Sequence, residues 1–221
     1  MEPETKQSLK ILLAALLLIA ATCDPKVKFE RPQPNGKKDL ETIPARFRGK
    51  YQDLSDSTTL TIDARSIVKE DLKIARLTKQ QLWAEIDTVF ERDTTVHVVD
   101  NMTVDFKFYG DSVQLTTYDA DTLFSLFKNH VIRKFRGYHF LNTPLEDNLW
   151  KVQIMKASGD SLTLEDLVSQ SEADSLSMLV NMTIIRDTIE DKIEEYRLNP
   201  TKPELKLILA KKEKKYGYVK E

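Results

Sequence analysis

Thr103-Val104-Asp105-Phe106-Lys107-Phe108-Tyr109-Gly110-Asp111-Ser112-Val113-Gln114-Leu115-Thr116-Thr117 decides the fold class. Val104, Phe106 and Phe108 alternate with Thr103, Asp105 and Lys107, and Val113, Leu115 and Thr117 resume the same two-residue period after Gly110-Asp111. Successive side chains of a strand point to opposite faces, so each segment offers one apolar and one polar face, as in a half-buried antiparallel sheet. Glycine followed by aspartate between two such runs has the composition of a tight hairpin. The same alternation recurs at Leu60 and Ile62, at Val152 and Ile154, and at Leu162 and Leu164. Leu54-Ser55-Asp56 and Ser158-Gly159-Asp160 supply further turns. The pattern predicts a mainly β fold: an antiparallel meander of hairpins, barrel- or sandwich-like so that its edges are protected.

Two short helices punctuate the strands. Thr78-Lys79-Gln80-Gln81 and Thr201-Lys202-Pro203-Glu204 both fit the capping box, with threonine as N-cap and Gln or Glu at the third helical position. Leu205, Ile208 and Leu209 give the second an apolar face, and Lys206, Lys211, Lys212, Lys214 and Lys215 are placed on its solvated side. Three pairs of motifs recur in the same order. Arg46-Phe47-Arg48-Gly49-Lys50-Tyr51 is echoed by Lys134-Phe135-Arg136-Gly137-Tyr138, Thr59-Leu60-Thr61-Ile62 by Leu162-Thr163-Leu164, and Thr-Lys-x-x-Leu at 78–82 by 201–205. They divide the folded part into two β-rich halves, 43–127 and 128–221, with chance similarity of short β motifs as the alternative.

The composition is that of a globular chain: 221 residues, 41% hydrophobic, 6 glycines. Its 33 basic and 35 acidic residues nearly cancel to a net charge of −2, which argues against a dedicated nucleic-acid binder. One cysteine permits neither an internal disulfide nor a cysteine-based zinc cluster.

That cysteine, Cys23, follows a polar segment carrying Lys6 and Lys10 and an uncharged run, 11–21. As a helix the run spans about 16 Å, far short of a ~30 Å hydrocarbon core. It reads as the apolar region of a signal peptide, 1–22. Ala20-Ala21-Thr22-Cys23 resembles the lipobox of bacterial lipoproteins, with Ala20 in place of the usual Leu and Thr22 in place of Gly, Ala or Ser. The resemblance implies a diacylglycerol on the Cys23 sulfur, cleavage before Cys23 and attachment to a membrane. The prolines and lysines of 23–42 predict an extended tether beyond it. Phe29-Glu30-Arg31-Pro32-Gln33-Pro34, Ile43-Pro44, the Gly49-Lys50-Tyr51 strand and Gly137-Tyr138-His139-Phe140-Leu141-Asn142 resemble uncharacterised lipoproteins of Bacteroidota. That resemblance implies a cell-envelope address on the outer membrane, with the periplasmic face favoured because no dense acidic run follows Cys23.

Asp-(Ser/Thr)-(small or aliphatic) occurs eight times, with its hydroxyl at Ser57, Thr88, Thr94, Ser112, Thr122, Ser161, Ser175 and Thr188; residue frequencies alone give about one. Turn chemistry followed by a strand explains part of this excess. The triplet also resembles the O-glycosylation acceptor of Bacteroidota, which would make those eight hydroxyls attachment points. Asn101-Met102-Thr103 and Asn181-Met182-Thr183 match the N-glycan sequon, an incidental match in such a protein.

Common chemistries leave no mark. His97, His130 and His139 show no metal-ligand spacing, and there is neither a Gly-x-Ser-x-Gly elbow nor a phosphate-binding loop. No cofactor or metal is expected. Gly49-Lys50-Tyr51 resembles the Gly-x-Trp opening of lipocalin-like barrels, which keeps a carrier for a small apolar ligand open, and Trp83 and Trp150 read as core residues. The first reading is a lipid-anchored, non-enzymatic structural or interaction protein; a carrier and a hydrolase with a site assembled only in three dimensions are the alternatives. The expected partners are the membrane, through the lipid on Cys23, and a protein or small apolar ligand, with no nucleic acid.

Overall fold

The computed structural model describes residues 26–53, 55, 58–85, 96–99, 102–189, 192–212 and 217–221, with the side chains of 83–104 outside that description. The fold is mainly β. The strands in chain order begin with β1 (Val27–Phe29), β2 (Gly49–Asp53), β3 (Thr59–Ile62) and β4 (Ser66–Thr78). Helix α1 (Lys79–Glu85) follows, then β5 (Val96–Val99), β6 (Met102–Tyr109), β7 (Ser112–Ser125), β8 (Val131–Phe135) and β9 (Tyr138–Pro144). The chain continues through β10 (Trp150–Ser158), β11 (Ser161–Asp166), α2 (Gln170–Leu176), β12 (Met182–Arg186), β13 (Ile193–Leu198), α3 (Lys202–Lys211) and β14 (Tyr218–Lys220).

Two compact units share these elements: 73–117, and 25–72 together with 118–221. This division is nested, whereas the motif echo divides the chain end to end. The echoed pairs also differ in what they build. Arg136-Gly137 is a two-residue turn with φ of 51° and 85°, while Arg48 is extended and leads straight into β2. The Leu60 and Leu162 motifs both lie in strands, and the two threonine motifs both open helices.

In the smaller unit the strand order is β4-β7-β6-β5. Its hairpin is the one the opening stretch predicts. Gly110, with φ of 56°, occupies the first position of the two-residue turn, where a Cβ would be strained. Phe106, Val113 and Leu82 form a small core with Leu77, Phe108 and Leu115. Thr78 caps α1 as expected: its Oγ1 accepts from Gln81 N at 3.1 Å, and its own N–H donates to Gln81 Oε1 at 2.9 Å.

In the larger unit the order is β12-β13-β1-β10-β11-β14-β2-β3-β4, with β9 pairing β10 and β8 pairing β9. Its terminal strands β12 and β4 do not pair, so this sheet is not closed into a barrel. β9 and β10 are covered on both faces. Phe140, Val152 and Ile154 point into a core completed by α2 and α3 through Ala173, Leu176, Leu205 and Ile208. Leu141 and Met155 point the other way, into a second core with Phe47, Tyr51, Leu60 and Phe124. Four consecutive residues of β9, His139 to Asn142, are therefore buried, the pattern of a strand with no solvent face. Leu205, Ile208 and Leu209 face the core as their spacing predicts.

Two expectations are corrected. The segment 23–42 is no tether from Lys26 onward. Val27 and Phe29 are buried in β1, which pairs antiparallel with β10 and parallel with β13. Gln33 donates its N–H to Asn142 Oδ1 at 2.6 Å and accepts from Asn142 Nδ2 at 2.9 Å. Arg133 donates to the carbonyls of Pro32 and Pro34 and to Asp39. The prolines thus shape a segment held down by β8 and β9. The second correction is α2, a third helix. Its signal is Ser169-Gln170-Ser171-Glu172, another capping box, whose Glu172 Oε2 accepts from Ser169 N at 2.7 Å.

Asn142 is fully buried and satisfies both backbone groups of Gln33, so its loss orphans two buried partners, each worth about 1–3 kcal/mol. Asn142→Leu is expected to lower unfolding free energy by about 3 kcal/mol in urea titration, with the m-value unchanged. An unchanged midpoint would show that the 31–39 segment is not fastened through this side chain.

Candidate functional site

Cys23, the expected lipidation site, lies outside the described residues, and what the fold fixes is the first described backbone after it. Lys26 is already in the sheet: its carbonyl accepts from Tyr196 N at 2.7 Å. Three peptide steps separate Cys23 from Lys26, so any group on the Cys23 sulfur is tethered within about 11 Å of that point, backbone to backbone.

Of the eight hydroxyl acceptors, Ser57, Thr88 and Thr94 lie outside the described residues. Ser112, Thr122, Ser175 and Thr188 are exposed and Ser161 is half-buried. Ser112 Oγ donates to Tyr109 O and Ser175 Oγ to Glu172 O, each leaving its lone pairs to solvent. Turn chemistry accounts for Ser112 and Ser161, which open strands after tight turns, and for Thr188, which sits in the β12–β13 turn. It does not account for Thr122, inside β7, or for Ser175, inside α2.

The histidines are dispersed. His97 lies in β5 opposite Val104, its side chain outside the described residues. His130 Nδ1 accepts from Ser125 N at 3.0 Å, and burial, reinforced by Lys128, holds its pKa below the ordinary range. His139 is buried edge-on against Phe47, ring centroids 4.7 Å apart, and its Nδ1 has no hydrogen-bond partner. Burial, then Arg46 and Lys134, push its pKa down to about 4. Among the described residues no three His, Cys, Asp or Glu side chains are grouped to hold a metal. Trp150 packs half-buried against the helix-covered core; the Trp83 side chain is outside the described residues.

Two concavities could hold a small molecule. A cleft of about 320 Å³ is lined by Glu165, Glu172, Ser175, Leu176, Ile208, Lys211 and Lys212. The Lys212 side chain, only 5% exposed, reaches across it. Its ammonium donates to both Glu172 oxygens at 2.8 and 3.0 Å and to Asp166 O at 3.0 Å, with Glu165 at 3.6 Å. The sequence reading placed Lys212 on the solvated face of α3; the helix instead ends there, and the extended backbone of its C-cap sends the side chain inward. Burial alone would raise the Glu172 carboxyl, but bonds from Lys212 and Ser169 outweigh it and hold the pKa below the ordinary value. The carboxylate thus stays ionised as the α2 cap, with the Lys212 ammonium hydrogen-bonded to it. The group clasps β11, α2 and the end of α3. A second, shallower groove of about 540 Å³ is lined by Gln52, Thr59, Glu70, Asp71, Leu72, Tyr118, Asp119 and Ala120. Its lining mixes the carboxylates of Glu70, Asp71 and Asp119 with Leu72, Ala120 and the exposed Tyr118 ring, and it is open to solvent. Comparison with protein-family models, curated proteins and solved structures finds no match to this chain.

Lys212→Met is expected to lower stability by about 2 kcal/mol and Tm by about 6 °C in calorimetry; an unchanged Tm would mean the clasp carries no weight. His139 sets a pH dependence. Its folded pKa of about 4 lies below an ordinary value of 6.5, so the stability it withholds from protonation is complete above pH 6.5 and is lost progressively as pH falls toward 4. Between pH 6.5 and 5 the native chain should lose about 2 kcal/mol more than His139→Leu in parallel urea titrations, and equal losses would refute the assignment.

Proposed function

We propose that this chain is an exported lipoprotein of the cell envelope, anchored by a diacylglycerol thioether on Cys23, whose β-rich fold serves a non-enzymatic structural or interaction role. The observation that carries the reading is the position of the lone cysteine, directly after a short uncharged run ending in Ala20-Ala21-Thr22. Two features of the fold support it. Every residue of the two described cores of the larger unit lies at or after Val27, so removal of 1–22 takes none of them. No helix among the described residues is long and apolar enough to cross a membrane.

The non-enzymatic part rests on the commitment of Lys212 and Glu172 to the clasp and on the dispersed histidines. The carrier alternative has less support, because the larger sheet is open and both concavities carry charged side chains in their walls. Anchoring on the periplasmic face of the outer membrane, with O-glycans on the exposed hydroxyls of Ser112, Thr122, Ser175 and Thr188, completes the proposal. Two acyl chains, at ~0.8 kcal/mol per buried methylene, give stable attachment.

Expression of the full chain in a lipoprotein-processing bacterium provides the test. The native chain is expected in the membrane fraction, resistant to high salt and released by detergent, and Cys23→Ser in the soluble fraction. A Cys23→Ser chain that stays membrane-bound would refute anchoring through this sulfur.

A further inference from the structure

We infer that the groove across β2, β3, β4 and β7 of the larger unit is a binding site for a neutral oligosaccharide. The inference rests on the groove alone and holds with or without the lipid anchor.

Register builds the site. Gln52 of β2 lies directly opposite Thr59 of β3, and Thr59 directly opposite Glu70 of β4. Directly opposed residues share one face of a sheet. Their chain neighbours Tyr51 and Leu60 point the other way, into the core with Phe47 and Phe124. Gln52, Thr59 and Glu70 therefore form a polar row on the face turned away from that core. Tyr118 and Asp119 continue the lining on β7, the next strand in the order. Four strands in a row span about 14 Å. The groove holds about 540 Å³, a volume in the range of small-ligand sites.

The chemistry of the lining selects the ligand. Among the described residues, no hydrogen bond, ion pair or ring contact engages the side chains of Gln52, Thr59, Glu70, Tyr118 or Asp119. In the cleft beside α3, by contrast, Lys212 and Glu172 already hold each other. Carboxylates accept, while an amide and a hydroxyl both donate and accept, which matches a ligand rich in hydroxyl groups. Bonds from hydroxyls to carboxylates are roughly twice as strong as bonds between neutral groups. The Tyr118 ring is 51% exposed. Its negative π-face attracts the weakly positive C–H groups on the flat side of a sugar ring. Leu72 and Ala120 add apolar surface to the same groove. None of the described lining residues is Lys, Arg or His, so phosphate, sulfate and acidic sugars meet only like charge. Among the described residues no three carboxylates are grouped to hold a metal ion; those of the groove are spread along it, as a chain of hydroxyls requires.

The full chain, kept soluble in a zwitterionic detergent that has no sugar headgroup, is tested on an array of immobilised neutral and acidic oligosaccharides. Binding to neutral members alone is expected. The best-bound neutral oligosaccharide is then titrated in solution by calorimetry against the native chain, Tyr118→Ala, Tyr118→Phe and Glu70→Gln. Tyr118→Ala should weaken binding about tenfold, Tyr118→Phe should restore most of it, and Glu70→Gln should weaken it several-fold. All three should keep the native Tm, since both side chains are exposed. Added salt should leave the native affinity nearly unchanged, because the ligand carries no charge. An array on which no neutral oligosaccharide binds, or on which acidic members bind as well, overturns the inference. Equal affinity of the native chain and a folded Tyr118→Ala also overturns it. So does tighter binding of spermidine than of any neutral sugar, lost in Glu70→Gln and falling steeply with salt, which would make the groove a site for organic cations.

Discussion

Val27, Lys28 and Phe29 lie between β13 on one side and β10 on the other, and the rest of the larger unit depends on that insertion. Phe29 and Val27 enter the core covered by α2 and α3, while the backbone of β1 joins the β12–β13 hairpin to the strands built on β10. Without β1, β13 would have no partner on that side, and Tyr196 and Leu198 would lose the side chains they pack against. The same three residues fix the exit of the N-terminal chain at one end of the sheet. Under the proposed anchor, only about three residues separate the lipidated cysteine from this architectural strand.

That economy explains why Pro32, Gln33 and Pro34 look like a linker and are not one. Proline cannot donate to a sheet ladder, so a segment with three prolines in ten residues reads as loose chain. Asn142 and Arg133 supply the bonds that a ladder would have made, using side chains a hundred residues away. Long-range side-chain fastening of this kind leaves no local pattern. The sheet itself was legible, because alternation at Val104 to Leu115 and Val152 to Leu164, with glycine in the turns, is local information. Both helix caps at threonine were legible for the same reason. The cap at Ser169 carries an equal signal, but Asp174-Ser175-Leu176 inside that helix also matches the recurring triplet and hid it. β9 was less legible, since a strand buried on both faces has no alternation to find.

The candidate site divides in the same way. The position of Cys23 can be read from sequence, because export chemistry acts on an unfolded chain and requires local motifs. The Lys212–Glu172 clasp could not be read, because it depends on where α3 ends relative to α2. Its geometry also limits function: a lysine and a glutamate facing each other across a cleft resemble catalytic machinery, yet each is fully engaged in holding helices to the sheet. The groove along Glu70 and Tyr118 combines carboxylates with apolar side chains.

The central claim is that Cys23 carries lipid and is the first residue of the mature protein. Intact and peptide-level mass spectrometry of the native N-terminus tests it most directly. The claim predicts a mature chain that starts at Cys23 and carries the mass of a diacylglyceryl group on that residue. An unmodified Cys23, or a chain that starts at another residue, would contradict it.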